Sequence, residues 1–325
     1  MMIRPSDGAT VSHVQDERKL IPELAEAVAR LSALLGPTEG VVQALDGGIT
    51  NRNFKVSFGG DDYVVRLPGK DTGKLGIDRD TECSANTEAA KLGIAPKVAA
   101  MLHDPPCLVT CFVEARQMEI AELQEPDVLE YVARSLRAFH DSGASLATEF
   151  DSFRVVEEYA ATAEQNSVVL PDGYSQALER AGAIERALDG AEHVPVPCHD
   201  DLLAANFLNV DGRVLIVDWE YAGMGDRYFD LGNFAVNNEL SEDGESRLLE
   251  AYFGEPADAR RRATLRLMRF MSDFREAMWG VVQSGISDLD FDFDGYASQH
   301  FGRLAETGRD PRFEGWLEEA RGGSA

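Results

Sequence analysis

The segment from residue 199 to residue 218 is the feature that most constrains the fold of this chain. It opens with the polar run HDDLLAAN at 199–206, continues into the apolar run VLIV at 214–217, and ends at Asp218. The apolar run is typical of a short buried strand, and the polar run before it is typical of a loop. A loop and a strand end of this kind bring Asp201, Asn206 and Asp218 to one place in the fold.

The residue types in this segment suit one class of chemistry. Phosphoryl transfer requires an acidic side chain that receives the proton of a hydroxyl, and oxygen ligands that hold Mg²⁺ against the phosphates of ATP. In the spacing H-x-D-x-x-x-x-N followed by a strand and Asp, Asp201 would orient the acceptor hydroxyl, while Asn206 and Asp218 would bind the metal. The competing interpretation is a capped turn with ordinary solvated carboxylates.

Length and charge exclude several classes of protein. The 325 residues are enough for two lobes, each with its own core. A formal net charge of −26 argues against nucleic acid as a partner, because phosphate backbones select basic surfaces. No apolar run is long enough for membrane insertion and the first residues are too polar for a signal peptide, so we expect a cytoplasmic protein. The negative charge would favour a small cationic substrate, although net charge alone is explained more readily by a solubilising or salt-adapted acidic surface.

The pattern of apolar residues changes along the chain. A polar tail at 1–18 precedes an amphipathic helix at 19–35, and β-type runs at 41–45, 53–58, 63–67 and 107–113 surround one helix at 79–92. Beyond residue 114 the pattern is mainly helical. We therefore predict three parts: a tail and N-terminal helix (1–38), an N-terminal nucleotide-binding lobe (39–113) and a C-terminal catalytic and substrate-binding lobe (114–325). The four cysteines show no C-x-x-C pair, and we interpret them as buried thiols.

The loop between the first two strands is a candidate phosphate-binding loop. Gly47 and Gly48 would let backbone N–H groups approach the phosphates of ATP, and Thr50 and Asn51 would add polar side chains. A plain hairpin turn is the competing interpretation.

Arg66 is the candidate cation for the α- and β-phosphates. It lies in the strand Tyr63–Leu67, and Glu82 in the following helix would hold it in place. Glu88 is a rival partner in the same helix, and a solvated charge on an edge strand is the competing interpretation for Arg66.

A β-rich lobe followed by an α-rich lobe that carries the acidic segment is the arrangement of an α+β, bilobal, protein-kinase-like fold. Over residues 40–305 the chain resembles the choline/ethanolamine kinase family of the aminoglycoside phosphotransferase-like kinases. The residues that carry the resemblance are the loop 45–51, the strand 65–69, the segment 78–82, the runs 199–206 and 218–221, Asp230, and the C-terminal motifs at 278–283, 286–287, 291 and 296–297.

The resemblance implies an ATP- and Mg²⁺-dependent kinase that phosphorylates the hydroxyl of choline or ethanolamine. Trp279 and Tyr296 would line the pocket for the ammonium group, because a quaternary ammonium is held by aromatic faces and negative charge. Glu239 is the candidate counter-charge, with Glu276 and Glu220 as alternates. For Trp279 alone, a place in the core is the competing interpretation.

Two alternatives stay open. An aminoglycoside or thiamine phosphotransferase would share the fold and the acidic segment, with a pocket rimmed by carboxylates in place of aromatic rings. A non-catalytic nucleotide-binding pseudokinase would share the fold alone. We expect Asp230 to brace the acidic segment, not to take part in the chemistry.

Overall fold

The structure is a computed structural model that describes residues 21–45, 51–70, 72–189 and 194–322. It confirms the predicted α+β class, with an antiparallel sheet toward the N-terminus and helices toward the C-terminus. The chain divides into two compact units, which take their described residues from Met1–Gly69 with Val98–Phe112, and from Lys70–Lys97 with Val113–Ala325. We call them the sheet unit and the helical unit. The predicted tail at 1–18 lies outside the described residues.

The sheet unit is a five-stranded antiparallel sheet with one helix. Its elements are α1 (Pro22–Leu35), β1 (Thr38–Leu45), β2 (Asn51–Phe58), β3 (Asp61–Pro68), β4 (Val98–His103) and β5 (Pro106–Cys111), and the strand order is β1-β2-β3-β5-β4. β2 and β3 form a hairpin whose turn, Gly59-Gly60, has φ values of 59° and 93° that favour glycine.

Alternation of apolar side chains builds the core of the sheet unit. Val56 and Phe58 on β2 and Val65 and Leu67 on β3 are fully buried, as the period of two along a strand requires. The apolar face of α1 joins the same core through Leu24, Ala27, Val28 and Leu31. The helix predicted at 19–35 is therefore confirmed, with a start at Pro22 where proline fits the first turn.

The helical unit contains the remaining elements. They are α2 (Arg79–Lys91), β6 (Arg116–Gln117), α3 (Ile120–Leu123), α4 (Pro126–His140), α5 (Ser152–Gln165), α6 (Tyr174–Leu188), β7 (Val196–Cys198), β8 (Phe207–Val210), β9 (Arg213–Ile216), β10 (Gly223–Gly225), α7 (Arg227–Asn237), α8 (Glu242–Phe253), α9 (Ala259–Ile286), α10 (Phe293–Arg309) and α11 (Phe313–Ala320).

The 28-residue helix α9 is the centre of the helical unit. It packs against α5, α7, α10 and α11, and its residues from 263 to 283 are almost continuously buried. This nearly complete burial places α9 in the interior of the helical unit. Among the described residues, no helix is both long and apolar enough to cross a membrane.

Three details differ from the sequence-based expectations. Strand β4 was not among the predicted runs. Residues 70–97, which we assigned to the N-terminal lobe, group with the helical unit. All four cysteines are free thiols, but only Cys107 and Cys198 are buried, and Cys83 and Cys111 are partly exposed.

Candidate active site

The acidic segment 199–206 follows β7, ends in a single 3-10 turn at Ala204–Asn206, and is held in place by Asp230 of α7. Oδ2 of Asp230 accepts the backbone N–H of His199 at 2.9 Å, and Oδ1 accepts that of Asp200 at 2.7 Å. His140 Nε2 also bonds to Oδ2 at 3.0 Å. Burial of Asp230 raises its pKa, but the hydrogen bonds from His140 and from the backbone of His199 outweigh burial and hold it below the ordinary value. The bracing role expected of Asp230 is confirmed.

Two asparagines associated with α7 extend this support to the next residues. Asn233 Oδ1 accepts the backbone N–H of Leu202, and its Nδ2 donates to Ser272 Oγ on α9 at 2.9 Å. Asn238, at the C-terminal end of α7, donates from Nδ2 to the carbonyl of Leu202 at 3.0 Å. Side chains of α7 therefore satisfy backbone groups that a loop would otherwise expose to water.

His199 joins the acidic segment to the residue before Asp218. Its Nδ1 accepts the backbone N–H of Asp201 at 3.2 Å, and its Nε2 lies 3.0 Å from the carbonyl of Val217. These two bonds require the neutral ring with the proton on Nε2. The N–H of Val217 in turn donates to the carbonyl of Asn206 at 2.9 Å. The loop and the strand end carrying the three predicted catalytic residues are thus connected directly.

Asp201 is buried and its carboxylate is engaged at both oxygens. Arg275 Nη1 donates to Oδ1 at 3.1 Å, and Asn206 Nδ2 lies 3.3 Å from Oδ2 and 2.8 Å from the carbonyl of Asp201. Burial raises the pKa of Asp201, Arg275 opposes that shift, and the charges of Glu276 and Asp218 reinforce it. The side chain therefore lies in a field of negative charge that a cation would relieve.

The residues predicted to hold Mg²⁺ suit that ion chemically. Because the amide nitrogen of Asn206 donates to Asp201, its amide oxygen is the atom available to a metal. Asp218 supplies a carboxylate from the turn after β9, where it adopts a φ of 69°. Carboxylate and amide oxygens are the hard ligands that Mg²⁺ prefers. The negative charges of Asp218 and Glu276 near Asp201 would complement the positive charge of the ion.

A network of aromatic and charged side chains adjoins Asp201. Arg275 Nη1 also donates to Glu276 Oε1 at 2.7 Å, and Tyr296 Oη donates to Glu276 Oε2 at 2.7 Å. Trp279 Nε1 donates to Tyr221 Oη at 2.9 Å, and the rings of Trp279 and Tyr296 meet edge to face at 5.4 Å. The structure therefore brings the two predicted pocket residues, Trp279 and Tyr296, together and next to Glu276.

The network sets the charge states of its members. Burial raises the pKa of Tyr296, and the adjacent Glu276 carboxylate raises it further. Burial also raises the pKa of Glu276, but Arg275, His300 and the Tyr296 hydroxyl together hold it below its ordinary value. Glu276 is thus a stable buried anion beside two aromatic rings.

Glu220 and Glu82 share one arginine within the helical unit. Arg79 Nη1 donates to Glu82 Oε2 at 2.7 Å and to Glu220 Oε2 at 3.1 Å. Both carboxylates are buried. Glu220, an alternate counter-charge in our expectations, is therefore already engaged by Arg79.

The predicted nucleotide-binding residues are distributed between the units. Gly47, Gly48 and Thr50 lie outside the described residues. Asn51 begins β2 and is buried, and Arg66 lies on β3 opposite Asn53 and Leu108. These two belong to the sheet unit, whereas Glu82 on α2 belongs to the helical unit. The pairing of Arg66 with Glu82 stays a prediction.

Glu239 lies outside the network where we expected a counter-charge, and Arg275 belongs to the network without having been predicted. Glu239 is exposed in the turn after α7, and its backbone carbonyl accepts a bond from Gln124. The carboxylate that the structure places against Tyr296 is Glu276, which was only an alternate. Arg275 was not considered, although the charged pair Arg275-Glu276 among the otherwise apolar residues 274–282 of α9 was a signal in the sequence.

The chain is similar to known proteins over much of its length. A family model described as choline/ethanolamine kinase matches residues 42–246. A crystal structure of a choline/ethanolamine kinase family protein from Mesorhizobium loti superposes with a TM-score of 0.79 at 31% identity, covering 93% of this chain and 100% of that one. Ethanolamine kinase 1 of Mus musculus is 26% identical over 326 residues, which are 88% of this chain and 89% of the relative. Protein LicA of Haemophilus influenzae is 27% identical over 212 residues, and the match spans 63% of this chain and 61% of that relative.

Proposed function

This chain belongs to the choline/ethanolamine kinase family, and from that premise we propose that it transfers the γ-phosphoryl group of ATP to the hydroxyl of choline or a related amino alcohol such as ethanolamine. One observation carries the proposal. The Asp201 carboxylate, held by Asn206 and Arg275, lies in a continuous network with Glu276 and the Trp279–Tyr296 ring pair. The candidate proton acceptor and the candidate residues for binding an ammonium group thus belong to one network within the helical unit.

Asp201 would act on the acceptor hydroxyl. It would orient the O–H by accepting its hydrogen bond and would take up the proton as the new oxygen–phosphorus bond forms and the bond to ADP breaks. A positioned base of this kind contributes about 10²–10⁴-fold in rate. The fixed carboxylate is suited to that task because its orientation does not have to be found anew for each substrate.

Asn206 and Asp218 would hold Mg²⁺, which supplies charge neutralisation for the phosphates when bound. Arg66, Asn51 and the loop residues Gly47, Gly48 and Thr50 are the candidates for contacts with ATP, and Glu82 is the candidate for orienting Arg66. A dependence on ATP also favours the cytoplasm as the place of action.

The amino group of the substrate would lie against Trp279 and Tyr296. A quaternary ammonium has no N–H donor, so ring faces and a nearby anion provide its main favourable contacts. Glu276 is that anion, and its position favours it over Glu239 as the counter-charge.

The engagement of the acidic groups favours an amino alcohol over an aminoglycoside. A polycationic aminosugar requires several carboxylates that can each accept its ammonium groups. Both oxygens of Glu276 already accept bonds, from Arg275 and Tyr296, and Glu220 accepts one from Arg79. The charge of Glu276 can still attract a quaternary ammonium, which donates no hydrogen bond, whereas the N–H groups of an aminosugar need acceptors. The helical unit thus offers one compact anionic and aromatic surface near Asp201, which suits a single ammonium group.

The test is ATP consumption with Mg²⁺ against choline, ethanolamine, thiamine and several aminoglycosides. We expect turnover with choline or ethanolamine, and a fall in kcat of about 10²–10⁴-fold in Asp201→Asn with nucleotide binding retained. Asp200→Asn is the matched control, because Asp200 is adjacent to Asp201 and its side-chain oxygens accept no hydrogen bond from any described residue. If only an aminoglycoside or only thiamine is phosphorylated, the proposed substrate is wrong and the kinase activity is retained. Nucleotide binding without turnover on any compound would indicate a pseudokinase.

A further inference from the structure

Arg275 lies in an unusual place for a charged residue. It is 1% exposed in the middle of α9, with the apolar residues Phe274, Ala277 and Met278 around it in sequence. Removing a guanidinium from water costs several kcal/mol unless hydrogen bonds and opposite charges compensate for it. The contacts of Arg275 should therefore show why the position is charged.

Of the three guanidinium nitrogens of Arg275, Nη1 donates hydrogen bonds to described residues. Nη1 donates to Asp201 Oδ1 at 3.1 Å and to Glu276 Oε1 at 2.7 Å, and the group lies over the ring of Tyr221 at 4.1 Å from its centroid. Nε and Nη2 are buried and donate no hydrogen bond to any residue that the structure describes. An uncharged side chain would fill this volume at a lower cost in buried polar groups. The arrangement is therefore explained better by the contact with Asp201 than by the stability of the core.

Arg275 also completes the fixation of Asp201. Asn206 bonds to Oδ2, so a contact at Oδ1 determines the plane of the carboxylate as well as its position. With Asn206 alone, the carboxylate could rotate about its Cβ–Cγ bond, because the torsion of an sp³–sp² bond is broad.

The same residue connects Asp201 to the surface proposed for the ammonium group. Glu276 receives Arg275 at one oxygen and Tyr296 at the other. Tyr221, beneath the guanidinium, receives the indole N–H of Trp279. The distance between the base and the aromatic rings is therefore set through Arg275.

We propose that Arg275 is a positioning residue for phosphoryl transfer, which fixes the orientation of the Asp201 carboxylate and its spacing from the Trp279–Tyr296 ring pair. This inference rests on the proposed function. Arg275 would act through Asp201, without contacting substrate or nucleotide itself.

A set of paired variants separates positioning from a structural role. Arg275→Met alone would leave Glu276 as an unpaired buried anion and could prevent folding. The double variant R275M/E276Q removes both charges and leaves residue 276 able to accept the Tyr296 hydroxyl. Glu276→Gln is its reference, since it retains the contact of Arg275 with Asp201. The variant R269M/E245Q is the matched control, because it removes a largely buried ion pair between α9 and α8 that does not involve Asp201.

We expect kcat of R275M/E276Q to fall at least about 100-fold below that of Glu276→Gln, with KM for ATP unchanged and Tm within a few degrees. R269M/E245Q should keep kcat within about threefold of the wild type, whatever its effect on Tm. A kcat of R275M/E276Q equal to that of Glu276→Gln would overturn the proposal. If the double variant does not fold, Arg275→Lys decides, because a compact ammonium cannot reproduce the directed bonds of the guanidinium. A loss of at least about tenfold in kcat is expected for it, and wild-type kcat would count against positioning.

Crystal structures of Glu276→Gln and R275M/E276Q separate this inference from the proposed function. A carboxylate of Asp201 that keeps the same rotamer in both variants would contradict positioning even if the true acceptor is not an amino alcohol. Conversely, a wild type that is inactive on every amino alcohol, together with a displaced Asp201 in R275M/E276Q, would refute the substrate and retain the positioning role.

Discussion

At the scale of single residues, Asp200 and Asp201 show how the environment separates two adjacent carboxyl groups. Asp201 bonds to Arg275 and Asn206. Asp200 is fully buried, adopts a φ of 66°, and its two side-chain oxygens accept no hydrogen bond from any described residue. Burial raises the pKa of Asp200 well above its ordinary value, and the charge of Asp230 raises it further.

This raised pKa predicts that Asp200→Asn stabilises the protein at neutral pH. Below the unfolded pKa of Asp, near 3.9, the carboxyl group is protonated in both states and does not affect the free energy of unfolding. Because the folded pKa is higher, stability is lost progressively as the pH rises from the unfolded value through the folded one. The amide removes that penalty, so we expect a gain of at least about 1 kcal/mol at neutral pH, since one pKa unit corresponds to about 1.4 kcal/mol.

The measurement is Tm of the wild type and Asp200→Asn at pH 5 and pH 8. The increase in Tm should be larger at pH 8 than at pH 5. Asp290→Asn, in which an exposed carboxylate is changed, should leave Tm nearly unchanged at both values. A Tm of Asp200→Asn at or below that of the wild type at pH 8 would show that Asp200 has a partner as an ionised group.

Sequence reasoning predicted the candidate residues that form a local motif, and the family resemblance supplied Trp279 and Tyr296, but Arg275 was missed. Asp201, Asn206 and Asp218 occur within one loop and one strand, so their spacing predicts their convergence. Arg275 is distant from Asp201 in the chain, and the contact depends on which side of α9 faces the loop. A helix that is buried on nearly all sides has no polar face from which that side can be identified.

At the scale of elements, the packing of α7 on α9 supports the acidic segment. Gly232 of α7 lies so close to α9 that a Cβ atom there would come 2.8 Å from the carbonyl carbon of Met268 and 2.9 Å from the backbone nitrogen of Arg269. Backbone atoms of a buried helix cannot move aside as a flexible side chain can. The absence of a side chain at Gly232 therefore sets the distance between the two helices.

We predict that Gly232→Ala destabilises the protein and lowers its activity. Overpacking of this kind costs about 1–3 kcal/mol, and separating α7 from α9 would displace Asp230 and Asn233 from the segment that they hold. Gly302→Ala in α10 is the matched control, since no atom of the described residues outside the adjoining helix backbone lies within 4 Å of its Cβ position. That change should raise stability by about 0.5–1 kcal/mol, because alanine is the better helix former. Thermal unfolding and kcat of both variants test the pair, and equal Tm values would contradict the packing argument.

The elements themselves were largely predictable, apart from those without a strong periodic pattern. The amphipathic α1 and the hairpin of β2 and β3 follow from alternation and from Gly59-Gly60. β4 carries two alanines and a methionine in VAAMLH and lacks the β-branched enrichment that marks a strand. It pairs antiparallel with β5, which begins after the two-residue turn Asp104-Pro105, so the two strands form a hairpin that the composition of β4 did not reveal.

At the scale of the whole molecule, the charge of −26 arises from 57 acidic and 31 basic residues. Many arginines already occupy ion pairs, as in the cluster of Arg266 and Arg269 with Glu245. The excess carboxylates therefore repel one another over the surface, which opposes the compact state.

We predict that added salt stabilises this protein. Screening over about 3 Å at 1 M salt, against about 30 Å at 0.01 M, should weaken the repulsion more than it weakens short ion pairs. Tm should rise steadily with NaCl concentration, and KCl should give the same curve if screening is the cause. A fall in Tm with both salts would show that ion pairs outweigh the repulsion.

The support that α7 gives to the acidic segment has a consequence for the order of events during synthesis. The backbone of residues 199–202 obtains its hydrogen bonds from Asp230, Asn233 and Asn238, which the ribosome adds later. A nascent chain that ends before Arg227 contains Asp201, Asn206 and Asp218 but lacks the template that shapes their loop. Catalytic competence therefore arises only after α7 has emerged and docked, so a truncated product of interrupted translation would carry the whole motif and remain inert.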